Sequence, residues 1–377
     1  MTKRKSSPRL RFAGAALILL VLMLILPAVR TGDQTLYLLA VVLPCAALLC
    51  ETLLARMFSL DRMILSVSLW LCTAGIAALA PSDPAAAMAQ SLRCGAGLAA
   101  LLIGGVMIRS MSSSLLPSVC SAFLGLLLLA GRLPASSFTV PLTEAALALL
   151  LIAFAALLTR QGPISAGLAA AAALALLLVC GETAEALFWS VTVCLLFFAA
   201  DGRLIVVLPA LAVAALSLWG AFRFSPLPGL PEENPGLSAL VSAGAIGADP
   251  LPEAIPALGG DSLFPRLAGH YGLVFAGLTV LLMLPLTLRG AYVAVSARTR
   301  FHAVLAMGIS LMLALRTLAS MLSAFGFLPV TAPAPPLLTL SLPSLCAQMF
   351  LIGMLCGISG RNDADLAEDA HLAMLAK

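Results

Sequence analysis

The chain is short of charge. Only 10% of its 377 residues are Asp, Glu, Lys or Arg, against about a quarter in a soluble globular domain. A water-facing exterior is therefore excluded for most of its length. Ten-residue segments of alternating polarity are also missing, which removes a membrane-spanning β-barrel. The nine cysteines (Cys45, Cys50, Cys72, Cys94, Cys120, Cys180, Cys194, Cys346, Cys356) lie in apolar stretches without paired ligand spacing. They read as small core hydrophobes, neither zinc ligands nor a disulfide framework. No Walker loop, dinucleotide fingerprint, HExxH or Gly-x-Ser-x-Gly occurs, so ATP hydrolysis, redox chemistry and serine hydrolysis have no motif behind them. No internal repeat is visible, although many secondary transporters carry one. The net charge of +4 does not point to nucleic acid, because the basic residues collect at the ends of apolar runs, where membrane topology accounts for them.

What the chain has in excess is apolar length. Hydrophobic residues make up 62% and the mean hydropathy is +1.10. Runs of about 17 to 22 residues recur, each able to cross roughly 30 Å of hydrocarbon as a helix. The expectation is an all-α polytopic membrane protein with about twelve spans, at 13–29, 36–54, 63–80, 94–108, 115–129, 140–158, 164–180, 183–199, 204–222, 271–288, 302–325 and 342–358. The basic lead MTKRKSSPRLRF opens on the first run, and no small-residue cleavage pattern separates it from the second, so it reads as an anchor rather than a signal peptide.

Twelve crossings put both termini on one side, and the basic residues indicate which. With the N-terminus inside, fifteen Lys and Arg fall on inner segments and five on outer ones, Arg30, Arg93, Arg132, Arg223 and Arg266. That is the bias expected of a plasma-membrane protein with cytoplasmic ends. The remaining basic residue, Arg316, lies within a span, about five turns past the basic turn SARTRF and so near mid-bilayer. A charge there costs about 3 kcal/mol on insertion scales and needs a partner or a water-lined cavity. One long loop, 223–270, falls outside. It is rich in Pro and Gly, and its acids Glu232, Glu233, Asp249, Glu253 and Asp261 outnumber Arg223 and Arg266. A loop of this length in a compact protein tends to be functional. The tail 361–377 is polar and cytoplasmic in this topology.

The polar residues in or beside the membrane are few. Asp261, in GGDSLFPR, reads either as a helix-capping or solvated loop aspartate or as a carboxylate at a cavity mouth, able to take a proton or bind a metal. Glu144 lies near the start of the sixth span, where a first-turn carboxylate suits the helix dipole or lines a polar cavity. Glu182 and Glu185, in CGETAEAL, open the eighth span, and capping and first-turn charge explain them as well as function does. Asp201 and Arg203 form an inner structural turn. Glu144 is the candidate partner of Arg316 if their helices adjoin.

SARTRF, an apolar helix and then GFLPVT closely resemble the signature of the SEDS family of cell-shape, elongation, division and sporulation proteins, the FtsW, RodA and SpoVE type. In that family an R-x-R-F turn precedes a helix ending in L-P-V-T-G. LPEAIPALGGDSLF is similar to its loop L-P-E-x-H-T-D-F-I-F, ASSFTVPLTEAALALL to its F-Q-P-S-E-F-A-K, and CGETAEAL to its Q-P-D-L-G-T-A. The resemblance implies a ten-helix core over 60–360, preceded by a basic segment with two extra helices over 1–59 and followed by the tail 361–377. It covers about four fifths of the chain. It further implies a peptidoglycan glycosyltransferase that polymerises lipid II beside a class B penicillin-binding protein, with Asp261 deprotonating the acceptor hydroxyl, with or without a divalent cation such as Mg or Mn. By the same resemblance Glu144 takes the place of a membrane-cavity glutamate, Glu182 that of the Q-P-D aspartate, and Arg316 that of a common glutamine.

The chain departs from the family pattern at several positions. Leu147 stands where the family has lysine, Gly259-Gly260 where it has H-T, GHYG replaces E-E-L-G, and TLSLPS at 339–344 replaces S-Y-G-G-S-S. Two other functions stay open beside catalysis. One is a catalytically impaired homologue that binds lipid II or a penicillin-binding protein as a scaffold, and the other is a polyprenyl-lipid transporter.

Overall fold

Apolar runs bounded by capping or helix-breaking residues become helices here. The computed structural model describes residues 32–110, 115–132, 142–202, 261–324 and 334–375, with isolated positions among 21–29, 211–219 and 244–247. Within them are ten helices: α1 Gln34–Met57, α2 Arg62–Leu79, α3 Pro84–Ser110, α4 Leu115–Ala130, α5 Thr143–Arg160, α6 Pro163–Val179, α7 Thr183–Asp201, α8 Phe264–Val295, α9 Arg300–Ala324 and α10 Leu342–Leu375. Each falls on one of the expected spans. The runs at 13–29 and 204–222 lie largely outside the described residues. Eight described helices are long and apolar enough to cross a membrane, and α4 and α6 are shorter apolar helices. The protein is thus an all-helical, multi-pass membrane protein.

Local chemistry sets the helix ends. Asp33 accepts from the Thr35 amide at 2.8 Å and caps α1, and Asp61 accepts from Met63 at 2.9 Å and caps α2. Gly162, with φ 95, reverses the chain ahead of Pro163 at the start of α6, and Gly202, with φ 63, closes α7 in the left-handed conformation. Two spans are longer than expected. α3 starts at Pro84, because Asp83 accepts from the Ala86 amide at 2.9 Å and caps an alanine-rich turn that hydropathy alone passes over. α8 starts at Phe264 and is broken at Gly272, whose φ of 86 and ψ of 166 leave the helical region. The break frees the Leu273 amide, which donates to Gly244 O at 3.1 Å.

Lipid is as apolar as a leucine side chain, so these helices are held together by close fit rather than by escape from water. The closest pair is α3 with α10. A Cβ at Gly104 would stand 2.3 Å from Phe350 O, and one at Gly353 would stand 1.9 Å from Leu101 O. Only hydrogen atoms allow the two backbones to approach this far. α2, α5 and α10 are mostly buried, while α1 and α8 turn most of their surface outward.

Polar contacts join segments that the helix alternation puts on the same side. On one side Arg289 pairs with Asp61 at 2.7 Å, Ser359 Oγ donates to Asp61 at 3.0 Å, and Arg109 donates to Ser59 O at 3.2 Å. On the other, Arg132 pairs with Glu182, and Arg93 donates to Leu340 O at 3.1 Å.

Candidate active site

The basic turn before α9 is fixed by Thr299, whose Oγ1 accepts from the His302 amide at 3.3 Å. From there α9 carries Arg316 into the bundle, to within about two turns of its end at Ala324. Arg316 is 4% exposed. Its Nη2 donates to both carboxylate oxygens of Glu185, at 2.8 and 2.9 Å. Its Nη1 lies 2.7 Å from Glu144 Oε1 but off the direction of its N–H bonds, so that contact is ionic rather than a well-formed hydrogen bond. The guanidinium therefore sits at the level where α5 and α7 begin.

That level explains how two carboxylates share one guanidinium. Glu144 lies in the first turn of α5 and Glu185 in the first turn of α7. Each helix N-terminus contributes roughly half a positive charge. Two such ends and one arginine stand against two acidic side chains, so the formal charges of the cluster nearly balance. Gln348, from α10, completes it by donating from Nε2 to Glu144 Oε2 at 2.8 Å.

Beside the cluster is a small space of about 10 Å³, barely room for one water molecule, partly open to the surface and lined by Leu147, Glu185, Phe188, Trp189, Thr192, Met312 and Arg316. The Trp189 indole donates to Ala170 O at 3.1 Å and the Thr192 hydroxyl to Phe188 O at 2.8 Å. Both donors are thus turned to backbone, and the polar character of the lining rests on Glu185 and Arg316. Small-molecule sites usually enclose about 300–1,000 Å³, so this space is too small for a disaccharide.

Asp261 lies elsewhere and is exposed. Its carbonyl accepts from the Leu340 amide at 2.8 Å, and the Leu263 amide donates to Leu338 O at 2.9 Å. These bonds, around an antiparallel bridge between Ser262 and Thr339, clip the Asp261 loop onto the segment leading into α10. The segment is anchored in turn. Gln90 Nε2 donates to Thr339 O at 2.9 Å, and Gly75 of α2 leaves a notch where Leu263, Leu337 and Leu338 converge. No described residue bonds the Asp261 carboxylate, which is left facing out. Among the described residues no three His, Cys, Asp or Glu side chains converge to hold a metal ion. One exposed carboxylate does not make a resident metal site.

The structure thus brings Glu144 and Arg316 together, turns Glu182 to Arg132 instead, and links Asp261 to the cluster through the 337–340 segment. Glu182 occupies the position before α7, yet its side chain makes no capping bond and turns instead to Arg132. Glu185, read in the sequence as a first-turn charge, is the second partner of Arg316. Gln348 gave no sequence signal. The signal for Glu185 was charge balance: a buried arginine needs acid nearby, and three first-turn or capping acids were available on two helices. The LPVT motif at 328–331 and Gly259-Gly260 lie outside the described residues.

Comparison with known proteins follows the same pattern. The family model described as "Cell cycle protein", FTSW_RODA_SPOVE, matches residues 246–364. No curated protein matches the sequence. Among solved structures, a chain from "Structural coordination of polymerization and crosslinking by a peptidoglycan synthase complex" aligns at TM-score 0.64 and 21% identity, over 81% of this chain and 98% of that one. The Thermus thermophilus rod shape determining protein RodA aligns at TM-score 0.57 and 18% identity, over 81% and 98%. An aspartate-to-alanine variant of that RodA aligns at TM-score 0.58 and 19% identity, over 80% and 97%. At these identities the structural likeness establishes the fold.

Proposed function

We propose that the chain is a member of the SEDS (FtsW/RodA/SpoVE) family and a peptidoglycan glycosyltransferase that polymerises lipid II in bacterial cell wall synthesis. The observation that carries the reading is the family match over 246–364, a range that contains Asp261 and its clip onto 338–340. In this reading Asp261 is the general base. It takes the proton of the acceptor hydroxyl as that oxygen bonds to the donor sugar and the lipid-linked phosphate leaves. An exposed carboxylate on a backbone-clipped loop suits a substrate too large for the space beside Glu185 and Arg316. The cluster of Glu144, Glu185 and Arg316 acts from inside, holding α5, α7 and α9 in register beneath the loop. The protein itself offers no resident metal site among the described residues, and the proton transfer is written without one.

We take the partner to be a class B penicillin-binding protein, because one structural match is described as coordinating polymerization and crosslinking. Both termini are assigned to the cytoplasm, on the fifteen-to-five distribution of basic residues. The same-side contacts of Arg109, Arg289 and Arg132 agree with the alternation behind that assignment. A ten-helix core over 60–360 with two added spans before it agrees with the four-fifths coverage of the structural matches. The test is to give lipid II to the purified protein, alone and with its cognate penicillin-binding protein, and to resolve the products by chain length. Glycan polymer is expected. Bound lipid II without polymer in every condition would point to a scaffold, and flux of lipid II across liposomes without polymer would point to transport.

A further inference from the structure

Two non-glycine residues among those described have positive φ, Ser59 and Leu337. Leu337, with φ 66, is completely buried. A leucine resists this conformation because its Cβ crowds the following carbonyl, so something must hold it. Gln348 does. Its Oε1 accepts from the Leu337 amide at 2.6 Å, while its Nε2 donates to Glu144 Oε2 at 2.8 Å. The side chain is 3% exposed, and both ends fix its orientation, since an amide N–H needs the oxygen and a carboxylate needs the NH₂. Directly after Leu337 come the residues that clip the Asp261 loop, Leu338 and Leu340. One amide thus spans the gap between the buried charge cluster and the segment on which the exposed carboxylate rests.

We infer that Gln348 is a positioning residue, which passes the geometry of the Glu144–Arg316–Glu185 cluster through Leu337 to the loop bearing Asp261. The inference rests on the proposed role of Asp261 as the base. An apolar side chain of similar length at 348 would fill the space but release Leu337 from its strained conformation. A glutamate would still accept from Leu337 but would repel Glu144. Exchanging the pair, glutamine at 144 and glutamate at 348, restores one donor and one acceptor at the contact and conserves the cluster's charge.

The test uses the full chain in lipid nanodiscs, as wild type, Gln348→Leu, Gln348→Glu and the double variant Glu144→Gln/Gln348→Glu. Amide hydrogen exchange is read over 261–264 and 337–341, alongside kcat and KM for lipid II polymerisation. Gln348→Leu, which removes the bond to Leu337, should exchange faster in these two segments by about five- to tenfold, the factor that one lost hydrogen bond of ordinary strength allows, and Gln348→Glu, which keeps that bond but repels Glu144, should exchange faster by a smaller factor. Their kcat should fall with KM nearly unchanged, because the base is displaced while the substrate-binding surface remains, and the double variant should recover both readouts. Unchanged exchange in Gln348→Leu overturns the inference. So does faster exchange with undiminished kcat. If Gln348→Leu fails to fold, Gln348→Glu against the double variant decides, and equal behaviour of those two refutes the coupling. Absence of polymer from the wild type would sink the proposed function and with it the catalytic half of the inference, while exchange still judges the latch.

Discussion

Replacing Arg316 with leucine leaves Glu144 and Glu185 inside the bundle with no cation between them. Three contacts of 2.7–2.9 Å disappear together. At an effective dielectric near 20, each unit-charge attraction at about 4 Å is roughly 4 kcal/mol, offset in part by the desolvation that arginine no longer bears. Removing one partner of a buried pair typically costs about 3–5 kcal/mol, and the two helix N-termini soften the loss by stabilising whatever negative charge remains. The expected destabilisation of Arg316→Leu is therefore about 3 kcal/mol, at the lower end of that range. It can be read from equilibrium unfolding in mixed micelles with increasing SDS. Arg316→Lys should fall between wild type and leucine, since one ammonium cannot reproduce the fork that meets both carboxyl groups. The triple variant Arg316→Leu/Glu144→Gln/Glu185→Gln should regain most of the loss, because a neutral cluster leaves no stranded charge. A single leucine variant within about 0.5 kcal/mol of wild type, the range of ordinary surface substitutions, would refute the reasoning. A triple variant no more stable than the single one would do so too.

Gly353→Val should weaken the α3–α10 contact by about 1–3 kcal/mol or prevent insertion of a stable bundle, because even a Cβ there would stand 1.9 Å from Leu101 O. The same SDS titration measures it, and Gly95→Ala, where nothing lies within 4 Å, serves as the control. Arg132→Ala should change stability by less than about 1 kcal/mol, since both side chains of the Arg132–Glu182 pair remain about a third exposed. A larger loss would mean that Glu182 belongs with the buried cluster after all.

The helices were legible in the sequence because apolar length is a one-dimensional property, and their sidedness because basic residues mark helix ends. The start of α3 was not, since it depends on a cap at Asp83 and alanine propensity rather than on hydropathy. Arg316 announced itself through its cost, and Glu144 was named as its partner. The choice of Glu185 over Glu182 as the second acid was hidden, because residues three apart on a helix lie near the same face and only packing of α7 against α9 decides between them. Gln348 was invisible. It is an ordinary polar residue in an apolar helix, and its role depends on a strained leucine eleven positions earlier.

TLSLPS stands at 339–344 where the family that the sequence resembles has S-Y-G-G-S-S. This segment meets the Asp261 loop through main-chain bonds, from Leu340 N to Asp261 O and from Leu263 N to Leu338 O. Backbone pairing does not depend on side-chain identity, so the frame around the carboxylate requires no particular side chains at these positions.

The most direct measurement is the rate of lipid II polymerisation by purified wild type and by Asp261→Asn, each with the cognate penicillin-binding protein. The substitution keeps the size of an exposed side chain that no described residue bonds, so unfolding should be unaltered, whereas loss of a general base should slow polymerisation by at least about a hundredfold. Glycan chains of equal length made at equal rates by both proteins would contradict the assignment of Asp261 as the base.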